Sequence, residues 1–184
     1  YLIWRIFIKS IIIYGSHYGT RKKYADELSK RTNIQSISFK EIKEINDYDN
    51  IIYLGGIYAG GILGMSKTLR NLNNISSKNI ILITVGLADP NDEENINNIR
   101  DNIKKQLKSE VFKKAKIFHL RGGIDYSKLN FAHKTMMNLL YNMVKKLPEE
   151  KKSAEDRAMI ETYNKKVEFV DFSSLDNIIN EIKN

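Results

Sequence analysis

The stretch Ile11-Ile12-Ile13-Tyr14-Gly15-Ser16-His17-Tyr18-Gly19-Thr20-Arg21-Lys22-Lys23-Tyr24-Ala25 constrains this chain most. A β-branched run enters a turn bearing hydroxyls and glycines, and a helical pattern (Tyr24, Ala25, Leu28) follows at once. Strand, turn and helix N-terminus in that order bring backbone N–H groups together at the positive end of a helix dipole, which suits a phosphate. Ser16 and Thr20 add hydroxyl donors, while Gly15 and Gly19 permit positive φ and close backbone approach. The same pattern also serves as a tight strand-to-helix connection.

The rest of the chain repeats the alternation. Lys22–Arg31 reads as a helix, Gln35–Phe39 as an exposed strand near a sheet edge, and Glu41–Asp49 as a charged loop. Asn50–Leu54 reads as a buried strand ending in a glycine-rich loop, Gly55–Gly61, before a helix over Met65–Leu72. Ile80–Val85 is an unbroken apolar run, as expected of a central parallel strand covered on both faces. Asp89 is the expected N-cap, with Pro90 first in a helix reaching about Lys108. Ala115–Leu120 forms a further strand before Arg121-Gly122-Gly123, Val167–Val170 is strand-like, and Leu175–Ile182 closes as an amphipathic helix. This pattern predicts an α/β fold with a doubly wound parallel sheet. In such sheets ligands bind beyond the strand C-termini. Three glycine-bearing loops lie there: Gly15–Thr20, Gly55–Gly61 and Gly86–Asp89. No Gly-Lys-Ser/Thr closes the first turn, and no G-x-G-x-x-G is present, so a mononucleotide with one terminal phosphate fits better than a P-loop or dinucleotide ligand.

Composition narrows the class. The 184 residues suit a single domain of ordinary apolar (42%) and charged (28%) content. Without cysteine the chain holds no disulfide, Cys-ligated zinc or Cys-ligated cluster, as suits a reducing, cytoplasmic setting. His17, His119 and His133 lack ligand spacing, so no metal is expected. A net charge of +8 favours anionic ligands or surfaces without choosing among them, and no nucleic-acid motif accompanies it, so no nucleic acid is expected. Residues 1–8 are apolar around Arg5, too short to span a membrane, and read as an extension able to lengthen the first strand.

On these motifs the chain resembles the flavodoxin family over nearly its whole length. Gly15–Arg21 resembles the family's phosphate loop, and Gly56-Ile57-Tyr58-Ala59-Gly60 resembles the loop whose aromatic, here Tyr58, stacks on the flavin. The resemblance implies a flavodoxin-like five-stranded parallel sheet of order 2-1-3-4-5 and non-covalent flavin mononucleotide (FMN). Its implied binding residues are Ser16, His17, Tyr18, Gly19, Thr20 and Arg21 in the first loop, and Gly56, Ile57, Tyr58, Ala59 and Gly60 in the second. Gly86, Leu87, Ala88 and Asp89 complete the implied set with backbone groups beside the ring. Tyr14-Gly15-Ser16, Gly55–Gly61 and Arg121–Tyr126 are similar to the branch that includes menaquinone-dependent protoporphyrinogen dehydrogenase. Three positions depart from the family pattern. Arg21 replaces a threonine and either pairs with phosphate or points to solvent. Ala59 resists the positive φ that glycine supplies there. Gly86–Pro90 has no aromatic, leaving the second flavin face to Leu87, to Tyr126 or to a substrate.

Between Arg121 and the last strand segment lies a helical insertion, about residues 122–166, with a helix over Leu129–Leu147. Leu129, Ala132, Met136, Leu140, Met143, Val144 and Leu147 share one face, and Met137, Leu139 and Tyr141 widen it. That face either packs on the domain or in a dimer, or forms an apolar wall or peripheral membrane contact beside the flavin. Six lysines against two glutamates between positions 128 and 152 suit acidic groups or anionic lipid. Glu155–Tyr163 reads as a charged, mobile or weakly helical return.

Three functions follow. The first is an FMN oxidoreductase passing electrons between a small redox substrate, a porphyrinogen or quinone, and its partner; no side chain stands out as its catalytic acid or base. The second is an electron carrier docking to a redox protein, and the third is a flavin-free binding module.

Overall fold

The computed structural model describes residues 8–16, 19–58 and 61–183, Tyr58 by its backbone. The expected extension over residues 1–7, and the site positions His17, Tyr18, Ala59 and Gly60, lie outside the described residues.

Strands β1 (Ser10–Gly15), β2 (Ser36–Ser38), β3 (Asn50–Tyr58), β5 (Asn79–Gly86) and β6 (Lys116–Arg121) pair in parallel in the order β2-β1-β3-β5-β6. The two-residue β4 (Gly61–Ile62) pairs antiparallel with β3, so the parallel strands follow the 2-1-3-4-5 winding expected from the sequence. Isoleucine runs make this sheet because successive side chains serve opposite layers. Ile11, Ile13, Ile51, Tyr53, Ile80 and Leu82 face one layer, covered by α2 (Met65–Leu69), α3 (Glu93–Gln106) and α4 (Ser109–Lys114). Ile12, Ile52, Leu54, Ile81, Ile83 and Val85 face the other, covered by α1 (Thr20–Thr32) and α7 (Asp176–Lys183). Each such fully buried side chain contributes about 1.5–3 kcal/mol.

Several boundaries differ from expectation, each for a local reason. β3 continues through Gly55 and Gly56 to Tyr58, where the sequence predicts a loop, because it has a partner on each side: Gly15 pairs with Gly55, and Val85 with Gly56. Asp89 does not cap α3. Its carboxylate accepts from Asn91 N at 2.8 Å and holds a turn, while Asp92 Oδ1 accepts from Asn95 N at 2.7 Å as the cap. The expected helix to Lys108 stops at Gln106, and α4 follows as a separate element. The last strand segment, β8 (Lys166–Glu168), does not join the main sheet; it pairs antiparallel with β7 (Gly123–Asp125) as a two-stranded ribbon.

The insertion carries α5 (Phe131–Lys145) and α6 (Ala154–Thr162). The expected weakly helical return is a capped helix: Ser153 Oγ accepts from Asp156 N, and Asp156 Oδ2 accepts from Ser153 N at 2.9 Å. Its first-turn acids, Glu155 and Asp156, sit where the helix dipole favours them. On α5 the face expected to be shared by seven residues is narrower. Val144 is buried, while Met136 and Leu140 are half-buried; Ala132, Met143 and Leu147 are exposed. Tyr163, just past α6, stacks on Tyr141 of α5 with ring centroids 3.8 Å apart and meets Tyr126 edge-on, which ties the insertion to the ribbon. Among the described residues no helix is long and apolar enough to cross a membrane.

Candidate functional site

The C-terminal ends of β1, β3 and β5 meet α1 at one edge of the sheet. Gly19 takes φ +89° as the N-cap of α1, a conformation open to glycine at little cost. It has no side-chain cap; its own N–H donates to Ser16 Oγ at 3.1 Å. Among the described residues no side chain caps the first turn of α1, whose N–H groups stand at the positive end of the helix. Thr20 is buried and reaches across to the Gly123 carbonyl at 3.4 Å, so its hydroxyl faces the ribbon. Tyr24 locks the same corner: its hydroxyl donates to the Arg121 carbonyl at 2.8 Å and accepts from Asp171 N at 3.1 Å. Burial raises the Tyr24 hydroxyl above its ordinary value and keeps it a neutral donor.

Arg21 does not turn to solvent. It lies across the end of β3 against Gly56, where an added Cβ would stand 2.2 Å from its Nε. That Nε is shut from water and has no hydrogen-bond partner among the described residues. Burial lowers the guanidinium from its ordinary value, and the Glu155 charge acts in the opposite sense. Glu155 comes from the first turn of α6 and fills the matching space on the next strand, where a Cβ on Gly86 would stand 2.2 Å from its Oε1. Its carboxylate accepts from Leu87 N at 3.3 Å and from Ala88 N at 3.2 Å. Burial raises the Glu155 carboxyl above its ordinary value, opposed by the two backbone bonds and then by Arg21. Arg121 braces the loop from below: its Nε donates to the Leu87 carbonyl at 2.9 Å, and its guanidinium lies 3.8 Å from the Phe169 ring centre.

Above this floor opens a cavity of about 620 Å³. Thr20, Arg21, Gly56, Gly86 and Glu155 line it at the strand ends, and Lys23, Lys128, Lys166, Asp125, Asp156 and Glu168 add charges of both signs. Met136, Met137, Leu140, Val144 and Met159 of the insertion form an apolar wall facing the strand ends. Methionine and leucine adapt to flat apolar shapes, so the cavity suits a planar ligand with an anionic end.

The sequence pattern of the flavodoxin domain matches residues 11–152, well over half of the chain. The chain belongs to the flavodoxin family. Solved flavodoxins are similar to it at low identity. A flavodoxin from Pseudomonas aeruginosa is 12% identical, covers 73% of this chain and 95% of its own, and has a TM-score of 0.39. A Fusobacterium nucleatum flavodoxin bound to flavin mononucleotide is 20% identical, with 68% and 75% covered and a TM-score of 0.35. A flavodoxin from the domain Archaea is 15% identical, with 61% and 82% covered and a TM-score of 0.36. No curated protein matches the sequence.

Within this flavodoxin domain the structure brings Thr20, Arg21, Gly56, Ile57, Gly86 and Leu87 to one cavity. Ser16 and Gly19 stand at the adjoining turn, and the Ala88 amide at the floor. Asp89 turns away into its own Asx turn and the α3 cap region, because Asn91 N donates to its Oδ1 and Asn95 Nδ2 donates to its backbone carbonyl. The stacking role expected of the Tyr58 side chain lies outside what is described. Sequence reasoning passed over Glu155; the Ser153-x-x-Asp156 capping pattern marks its helix, but nothing local to it points to a loop nearly seventy residues upstream.

Proposed function

We propose that this flavodoxin-family chain binds FMN and is a redox enzyme that exchanges electrons with a small apolar substrate of the porphyrinogen or quinone type, like the protoporphyrinogen dehydrogenase branch that its motifs resemble. The observation that carries the reading is the cavity, which joins the N-terminus of α1 to an apolar wall from the insertion. The residues fit the cofactor on a further ground. A buried guanidinium nitrogen without a partner costs about 1–3 kcal/mol, and an anionic or acceptor group in the cavity would relieve it.

When bound, FMN supplies two-electron transfer at its ring. The chain's own residues bind and orient. The N–H groups at the start of α1, with Ser16 and Gly19, would hold the phosphate. The Leu87 and Ala88 amides would receive the ring's acceptor edge. Met136, Met137, Leu140 and Met159 exclude water from the face a substrate would approach.

The alternative is an electron carrier that docks to a redox protein. The exposed Phe131, Leu139 and Met143 on α5 favour it, since they leave an apolar stripe uncovered. The two readings share one first experiment, the absorption spectrum and flavin stoichiometry of the purified chain. Flavin bands with about one FMN per chain support both, and a colourless chain that takes up no added FMN overturns both. Reduction of a menaquinone analogue with a porphyrinogen as donor then supports the enzyme. Electron exchange with a ferredoxin reductase, without any such turnover, supports the carrier.

A further inference from the structure

The floor of the cavity contains a contact that the family resemblance does not supply. Two consecutive backbone amides, Leu87 N and Ala88 N, converge on the two oxygens of one carboxylate, Glu155, at 3.3 and 3.2 Å. Bonds to a charged oxygen are normally about 2.7–2.9 Å, so neither is drawn tight. Arg21 supplies positive charge on the same side, yet its Nε stays without a partner among the described residues. Glu155 belongs to the insertion, not to the sheet. Its helix is closed at the N-terminus by Ser153 and Asp156, so α6 keeps its cap whether or not Glu155 holds the loop. Glycine at two neighbouring strand ends makes the arrangement fit: Gly56 leaves room for Arg21, and Gly86 for Glu155.

We propose that the Leu87 and Ala88 amides and the Arg21 guanidinium form a receptor for a planar ring edge with two adjacent acceptor atoms, and that Glu155 is its internal occupant, displaced when that edge enters. The receptor rests on the FMN reading above, and the competing carboxylate comes from this chain's insertion. An amide pair that meets both oxygens of a carboxylate offers two donors to a ring edge bearing an acceptor nitrogen beside a carbonyl oxygen. Arg21 then faces the incoming acceptor in place of Glu155. The closed arrangement lowers ligand affinity by the fraction of molecules in which Glu155 holds the loop.

The test is equilibrium titration of the full chain with FMN, followed by quenching of its fluorescence, on the wild type, Glu155→Ala, Glu155→Gln and Arg21→Gln. Hydrogen exchange over residues 154–162 is measured with and without FMN. Glu155→Ala is expected to bind FMN about tenfold more tightly than the wild type, the worth of one hydrogen bond to a charged group. Glu155→Gln, which keeps the shape and loses the charge, is expected between the two. Arg21→Gln is expected to bind about tenfold more weakly. FMN should speed exchange in α6 of the wild type and leave that of Glu155→Ala unchanged. Equal or weaker FMN binding by both Glu155 variants, with thermal unfolding showing them folded, overturns the displacement. Failure of every variant, the wild type included, to bind FMN instead overturns the reading of the site.

Discussion

The Arg21 guanidinium occupies the space above Gly56, so that a Cβ on that glycine would stand 2.2 Å from Nε. A residue expected at the end of a phosphate loop thus reaches the next strand but one in sequence and takes part in the floor of the cavity. The site is built on this pairing of a long cation with a missing side chain.

The two glycines at the ends of β1 and β3 should respond differently to alanine. At Gly15 the added Cβ would meet the Leu63 backbone carbonyl at 2.3 Å, and backbone cannot swing away. Gly15→Ala is expected to lower the unfolding free energy by about 1–3 kcal/mol. At Gly56 the three nearest atoms all belong to the movable end of Arg21, so the stability loss of Gly56→Ala should be smaller while FMN binding weakens with the displaced guanidinium. Urea unfolding and FMN titration of both variants check the contrast.

Removing one oxygen at Tyr24 should loosen the corner between α1 and β6. Tyr24→Phe keeps the ring and its edge-on contact with Phe172, at 5.8 Å between centroids. It loses the bonds to the Arg121 carbonyl and from Asp171 N. A cost of about 1–3 kcal/mol in urea unfolding is expected, because both partners are left part-buried and unpaired.

His119 should make the fold acid-sensitive. Its Nδ1 lies 2.7 Å from Thr84 Oγ1, and its Nε2 is buried without a partner. Burial first, then the Arg100 charge, pulls the ring down from 6.5 to about 4. The unfolded chain therefore binds a proton that the folded chain refuses between those values. Stability is intact above pH 6.5 and declines as pH falls towards 4. In His119→Gln this decline should shrink by about 1–2 kcal/mol, allowing for the ring's partial solvent screening. Unfolding curves at pH 7 and pH 4.5 for both proteins give the comparison.

The cap of α6 should be separable from the contact that its helix makes with the loop. Ser153→Ala removes one half of the capping box and is expected to cost about 1 kcal/mol, read by urea unfolding. Faster hydrogen exchange should be confined to the first turns of α6.

The buried parallel strands were legible because apolar runs at Ile11–Ile13, Ile51–Ile52 and Ile80–Ile83 state burial without help from distant residues, while the strand order came from the family resemblance. The first loop was legible locally too: Gly19 and the start of α1 lie within a few positions of one another. Other features depended on partners far along the chain. β3 runs through Gly56 because β5 is there to pair with it, and on to Tyr58 because β4 turns back against it. Val167 sits outside the main sheet because Ile124 is its partner. Asp89 looked like a cap beside Pro90, but competing acceptors three residues apart left that role to Asp92.

The amino-acid sequence by itself determined the α/β alternation, the helix-terminal turn at Gly15–Thr20 and the gathering of glycine loops at one sheet edge, since each rests on local periodicity or backbone freedom. Tertiary structure alone decided what fills that edge. Arg21 lies on Gly56, and Glu155 takes the Leu87 and Ala88 amides, because buried charges settle wherever space, donors and counter-charge coincide. No local pattern encodes that coincidence; it exists only once α6 is folded back over the strand ends.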